Sequence, residues 1–172
     1  MKYTVVALVE NKPGVLNRVA SLFRRRNYNI DSLTVGRTQD SDVSRMTIVM
    51  DEGTDPAKVE QNLYKLVNVI QVEDVTHTPN VTRDLALIKV RVDSTTRGEV
   101  IQLCDVFRAR VLDATPETLI IEVTGDEQKI ESMVEMLRPI GILEMVRTGA
   151  VTMSRGERIL RKNGFFRPEG AM

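Results

Sequence analysis

Glu10-Asn11-Lys12-Pro13-Gly14-Val15-Leu16-Asn17-Arg18-Val19-Ala20-Ser21-Leu22-Phe23 reads as a strand exit, a tight Pro-Gly turn and the first turns of an amphipathic helix. Upstream, Tyr3–Val9 is rich in β-branched residues; downstream, Val15, Leu16, Val19, Leu22 and Phe23 recur at helical spacing. A helix entered through so short a turn leaves several backbone N–H groups without intrahelical partners. Glycine at that point has no Cβ to hold a small anion away from them. The junction therefore predicts both a strand–helix unit and a seat for a carboxylate.

Working outward, the chain repeats this plan. Gly14, Leu16, Val19, Ala20, Phe23, Arg24 and Arg26 fall in register with Gly98, Val100, Leu103, Cys104, Phe107, Arg108 and Arg110. Further on, Leu63, Leu66, Val67, Val69, Ile70 and Val72 match Met136, Pro139, Ile140, Ile142, Leu143 and Met145 at a shorter offset. The shortening has a natural place: the polar stretch Thr38 to Ser44 separates two strand-like runs in the first half, where Pro116-Glu117 suffices in the second. Each half reads strand, helix, strand, strand, helix, strand. In the first half the later elements are Ile30–Val35, Arg45–Met50, a helix with Asp55 as N-cap and Pro56 at its first position, and Val69–Val75. In the second they are Leu85–Val92, Gly98–Arg108, Val111–Thr115, Leu119–Thr124, Glu127–Leu137 and Ile142–Thr148. The fold class is α+β: two ferredoxin-like βαββαβ units, each an antiparallel sheet with helices on one face. The expected domains are residues 1–77, a linker at 78–83 carrying Pro79 and Asn80, a second unit at 84–152 and a tail at 153–172.

Composition narrows the partners. In 172 residues, 24 Lys and Arg balance 24 Asp and Glu, so no overall field favours nucleic acid or an anionic membrane. No run approaches the length needed to span a bilayer, and Met-Lys-Tyr-Thr opens directly into a strand, which predicts a cytoplasmic protein. The single cysteine, Cys104, sits in an apolar helical pattern and reads as a small core hydrophobe in a reducing compartment. With His77 the only histidine, neither a histidine-rich metal site nor a Ser-His-Asp triad finds support, and no catalytic constellation is visible. In the first strand Tyr3, Val5, Ala7 and Val9 face one way and Val6 and Leu8 the other, so both faces are apolar where the unit's own helices cover one. A partner chain or the second half of the same chain must cover the other face; the reading taken is a homodimer.

The opening turn, together with Tyr28-Asn29-Ile30-Asp31-Ser32-Leu33-Thr34-Val35-Gly36, Ser44-Arg45-Met46-Thr47-Ile48, Arg147-Thr148-Gly149 and Ser154-Arg155-Gly156, resembles the small, regulatory subunit of acetohydroxyacid (acetolactate) synthase over nearly the whole chain. The first half resembles an ACT domain, a ligand-sensing version of the βαββαβ fold. Many relatives have Gly where Asn27 stands; Asn tolerates a left-handed backbone, so the same loop is expected. The resemblance implies a non-catalytic chain with no cofactor of its own. Its partner would be a large catalytic subunit that uses thiamine diphosphate, Mg²⁺ and FAD in branched-chain amino acid biosynthesis. It would activate that subunit, confer feedback inhibition by L-valine, and form a homodimer through the ACT domain.

For the effector, the resemblance implies a carboxylate seat on the amides of Gly14, Val15 and Leu16, and Asn11 as acceptor for the ammonium. Asn29 would come from the partner chain, with Ile30 and Val35 as the apolar wall. Arg24-Arg25-Arg26 reads as the cationic last turn of a helix. The tail residues Arg155, Arg158, Arg161, Lys162 and Arg167, against Glu157 and Glu169, flank Ile159-Leu160 and read as a docking helix or a frayed end. An RNA-recognition reading fails for want of aromatics in Arg45–Met50. The alternative is a stand-alone ACT-type sensor acting on another enzyme or on transcription.

Overall fold

A computed structural model of the chain describes residues 2–160. The first unit runs β1 (Tyr3–Glu10), α1 (Val15–Arg25), β2 (Ile30–Arg37), β3 (Val43–Met50), α2 (Pro56–Leu63) and β4 (Val69–Asp74). The crossover from β1 through α1 to β2 leaves a slot that β3 fills, antiparallel to both. The order is β2-β3-β1-β4, with β2 and β4 at the edges.

The second unit repeats the topology with β5 (Asn80–Arg91), α3 (Thr96–Phe107), β6 (Arg110–Ala114), β7 (Thr118–Gly125), α4 (Glu127–Leu137) and β8 (Ile142–Arg147), in the order β6-β7-β5-β8. A short strand, β9 (Val151–Ser154), then pairs with β5. This is the α+β, twice βαββαβ architecture that the periodicities predict.

Each unit has its own core. In the first, Val5, Ala7 and Val9 of β1 and Met46, Ile48 and Met50 of β3 pack beneath Val15, Val19, Leu22 and Phe23 of α1 and Val59 and Leu63 of α2. Phe23 meets Tyr28 edge-to-face, ring centroids 5.8 Å apart. In the second, Ile88, Val90, Leu119 and Ile121 pack beneath Val100, Cys104, Ile130, Met133 and Leu137. Cys104 is buried there, and burial pushes its thiol up from the ordinary range.

Local signals landed where the sequence placed them. Asp55 caps α2 by accepting from the Ala57 N–H at 3.0 Å, with Pro56 following. Asn27 takes the left-handed conformation, φ 55°. Arg24 and Arg25 close α1, with Arg26 as its C-cap.

Two expectations need correction. Residues 80–83, expected in a linker, are the first residues of β5, which crosses from one compact unit to the other. Residues 151–154 do not divide between a second domain ending at 152 and a tail; they form β9, and residues 151–160 group with the first unit, while the second covers Thr82–Ala150. Arg161, Lys162, Arg167 and Glu169, the rest of the expected docking tail, lie outside the described residues. Of the two covers expected for the outer face of β1, the chain itself supplies one: Val6 is fully buried and Leu8 4% exposed within the single chain.

Candidate functional site

The Pro-Gly turn forms because Gly14 adopts φ 83°, a left-handed conformation that glycine takes without strain. Gly14 is the N-cap of α1, and no side chain caps the helix. The Val15 N–H makes a long bond to the Lys12 carbonyl, 3.4 Å, and the Arg18 N–H bonds the Gly14 carbonyl at 3.0 Å. The N–H groups of Gly14, Leu16 and Asn17 find no acceptor among the described residues. A Cβ built on Gly14 would meet nothing within 4 Å, so the approach to these amides is open. The first turn of α1 holds no acidic residue to answer its positive end.

Around the turn the side chains are held in place. The Asn11 Nδ2 donates to the Ser41 carbonyl at 2.8 Å and its backbone N–H to the Asp42 carbonyl at 2.7 Å. That leaves Asn11 Oδ1 to accept from a ligand ammonium. Arg18 Nη1 donates to Asn68 Oδ1 at 2.9 Å, Asn68 Nδ2 donates to Glu10 Oε2 at 2.7 Å, and Lys12 pairs with Glu10 at 3.2 Å. Sequence reasoning missed Arg18, Asn68 and Glu10. For Arg18 a signal existed: a cation one turn into a helix opposes the dipole unless an anion is to be held there. Asn68 joins the turn only through tertiary pairing, since its carbonyl accepts the Glu10 N–H at 2.9 Å.

The remaining candidates divide. Val15 is buried in the core and offers the turn only its backbone, while the Leu16 side chain is half exposed. Val35, on edge strand β2, is 40% exposed and pairs with Met46. Asn29 and Ile30 lie elsewhere: Asn29 Nδ2 donates to Asp51 at 2.5 Å, and Ile30 pairs with Met50 and packs against the core. Met50 also pairs with Tyr3, at the start of β1, whereas the turn follows Glu10 at its end. Seven strand residues separate the two ends, about 23 Å at the usual rise. The chain therefore brings Asn11, Gly14 and Leu16 to the turn and holds Asn29 and Ile30 at the far end of the sheet.

The corresponding turn of the second unit is filled by its own chain. Asp93 Oδ1 accepts from the Thr95 hydroxyl at 2.6 Å and from the Thr95 and Thr96 N–H groups at 2.8 Å each. These bonds hold its carboxyl well below the usual range. A carboxylate thus occupies the start of α3, as one is expected to occupy the start of α1.

Two ferredoxin-like units in tandem, the first with an open helix N-terminus ringed by polar groups, define the fold class. Comparison with known proteins gives the family. Residues 6–71 match the model of the AHAS small subunit-like ACT domain, and residues 83–156 match that of the small subunit of acetolactate synthase. A probable acetolactate synthase small subunit of Archaeoglobus fulgidus is 50% identical over 92% of this chain and 99% of its own. The acetolactate synthase small subunit of Mycolicibacterium smegmatis is 48% identical over 91% and 92%. The crystal structure of the small subunit from Thermotoga maritima superposes with a TM-score of 0.83 at 39% identity, covering 91% of this chain and 98% of that one. The chain belongs to the acetolactate synthase small-subunit family, with a regulatory ACT domain as its first unit.

Proposed function

We propose that this chain is the regulatory partner of an acetolactate synthase catalytic subunit in the cytoplasm. It binds L-valine at the Pro13–Gly14 turn, activates the catalytic subunit and imposes end-product inhibition on branched-chain amino acid synthesis. The chain contributes no catalytic group or cofactor; thiamine diphosphate, Mg²⁺ and FAD belong to the catalytic subunit. The observation that carries the reading is the open α1 N-terminus at Gly14, with the Leu16 and Asn17 N–H groups unpaired among the described residues.

The functional unit is a homodimer joined along β2. This strand is an edge, eight residues long, and its pairing to β3 is regular from Ser32 to Arg37. Such an edge is a template for a second strand. Its counterpart β6 has five residues, and a short edge is a blunted one. Antiparallel pairing of β2 with its copy sets Ile30 of one protomer beside Arg37 of the other, at the end of the sheet that carries the turn. Asn29 and Ile30 of one chain then complete the site begun by Asn11, Gly14, Val15, Leu16 and Val35 of the other.

Calorimetric titration with L-valine tests this, beside Gly14→Asp, which keeps a tolerable left-handed residue but sets a carboxylate against the ligand's. Saturable binding to the natural chain and none to the variant is expected, followed by valine-sensitive acetolactate formation on reconstitution with the catalytic subunit. Equal binding by both chains would remove the ligand from this turn.

A further inference from the structure

After Ala150, residues 151–160 group with the first unit, and the strand residues that hold them, Arg45 and Glu73, alternate with the core residues Met46 and Val72 and so stand on the outer side of the sheet. What holds the segment there is almost wholly polar. Arg45 of β3 donates through Nη2 to the Thr152 carbonyl at 2.6 Å. The Arg155 N–H donates to the Pro79 carbonyl at 2.8 Å, and its Nε to the Asn80 carbonyl at 3.0 Å. Arg158 Nη1 donates to Thr78 Oγ1 at 3.2 Å, while its Nη2 pairs with the Glu73 carboxylate of β4. The segment's own apolar side chains are little buried: Val151 is 48% and Met153 65% exposed, and of β9 only Thr152 is buried. Arg45 and Glu73 stand on the strands flanking β1, opposite Leu8 and Val6, so the segment is fastened on both sides of the central strand.

We propose that Val151–Arg158 is a polar strap that unlatches from the sheet while the sheet stays folded, and that ligand binding at the Pro13–Gly14 turn tightens the latch. Charge-assisted bonds are strong when made, yet a segment whose own side chains bury little apolar surface opens locally at a cost below that of global unfolding. Opening does not strand the Glu73 carboxylate. Glu73 is 8% exposed and already acts electrostatically on Arg45, which becomes its cation when Arg158 leaves. The route from the turn is short. Val43 pairs with Glu10, next to Asn11, and Arg45 lies two residues along the same strand, so fixing Asn11 and the Ser41 carbonyl steadies the anchor of the strap. This second half of the proposal rests on the effector reading above.

Amide hydrogen exchange on the full chain separates the cases. In Arg158→Gln the Thr152 and Arg155 amides are expected to exchange at least tenfold faster while those of Val5–Val9 keep their protection. In the natural chain, raising ionic strength is expected to speed the same two amides selectively, which tests the strap even where the variant folds poorly. Unchanged strap exchange in both arms, or loss of protection in β1 together with the strap, would overturn it. With saturating L-valine, strap exchange is expected to slow at least threefold. Calorimetric binding with unchanged exchange would overturn the coupling alone, and absence of binding would overturn the effector reading while the first two arms still judge the strap.

Discussion

Asn11 is tied to Ser41: its side-chain Nδ2 donates to the Ser41 carbonyl at 2.8 Å, across thirty positions of sequence. One carboxamide thereby joins the strand–helix turn to the loop between β2 and β3. It also fixes which end of the amide is engaged, since the donor is spent on the loop and Oδ1 is the end left for the proposed ligand. The turn is consequently preorganised, and ligand binding need not order it.

Asn11→Ala removes both functions. A hydrogen bond to a charged group contributes about 1.5–3 kcal/mol, so L-valine affinity is expected to fall by roughly ten- to a hundredfold. Fold stability should change little, because Asn11 is exposed and its backbone bond to Asp42 remains. Calorimetry gives the affinity and thermal unfolding the control; unchanged affinity would remove Asn11 from the site.

In the proposed dimeric site, the apolar part, Leu16 and Val35 with Ile30 of the partner subunit, would discriminate by shape alone. One methylene in such a pocket is worth about 1–3 kcal/mol. Leucine and isoleucine are expected to bind ten- to about two-hundredfold more weakly than valine and to compete with it. Competition titrations check this, and equal affinities for all three would show that the side chain lies outside the pocket.

Asp93 makes a pH prediction. The Thr95 hydroxyl, then the Thr96 and Thr95 N–H groups, depress its carboxyl below the usual range in the folded protein. A depressed folded pKa adds stability above the unfolded value of about 3.9, and that stability is lost as pH falls through the lower, folded value. The start of α3 should therefore stay capped throughout neutral and mildly acidic conditions. Carboxyl chemical shifts followed by NMR are expected to show Asp93 titrating below the other aspartates of the chain. A midpoint within their range would mean that the cap is not formed in solution.

How far the sequence carried depended on whether a feature is local. The Asp55-Pro56 cap, the left-handed Asn27 and the core stripe of α1 are readable because each is fixed by residues within one or two turns. Pro79 and Asn80 misled for the same reason: their local chemistry says turn, yet Asn80 opens β5, where pairing with a distant segment decides. β9 was missed because four residues carry too little periodicity to register. The cover over Val6 and Leu8 was legible as a need and not as an answer. The bond from Arg45 to Thr152 spans 107 positions, and no spacing rule reaches that far.

The separation of Asn11 from Asn29 supplies the sharpest test of the shared site. In one protomer they stand at opposite ends of the sheet, so a site using both requires two chains. Thr34 lies near the centre of β2, where antiparallel pairing sets each copy against the other, and it is not one of the candidate ligand contacts. Thr34→Lys brings two like charges together across the two-fold axis, which destabilises a strand pair. The variant is expected to sediment as a monomer at concentrations where the natural chain is a dimer, and to lose L-valine binding although its Gly14 turn is intact. The two losses should run in parallel as protein concentration is raised, with binding recovering as dimer re-forms by mass action. A monomer that binds L-valine with full affinity would show that the turn is sufficient by itself and that Asn29 and Ile30 belong only to the sheet.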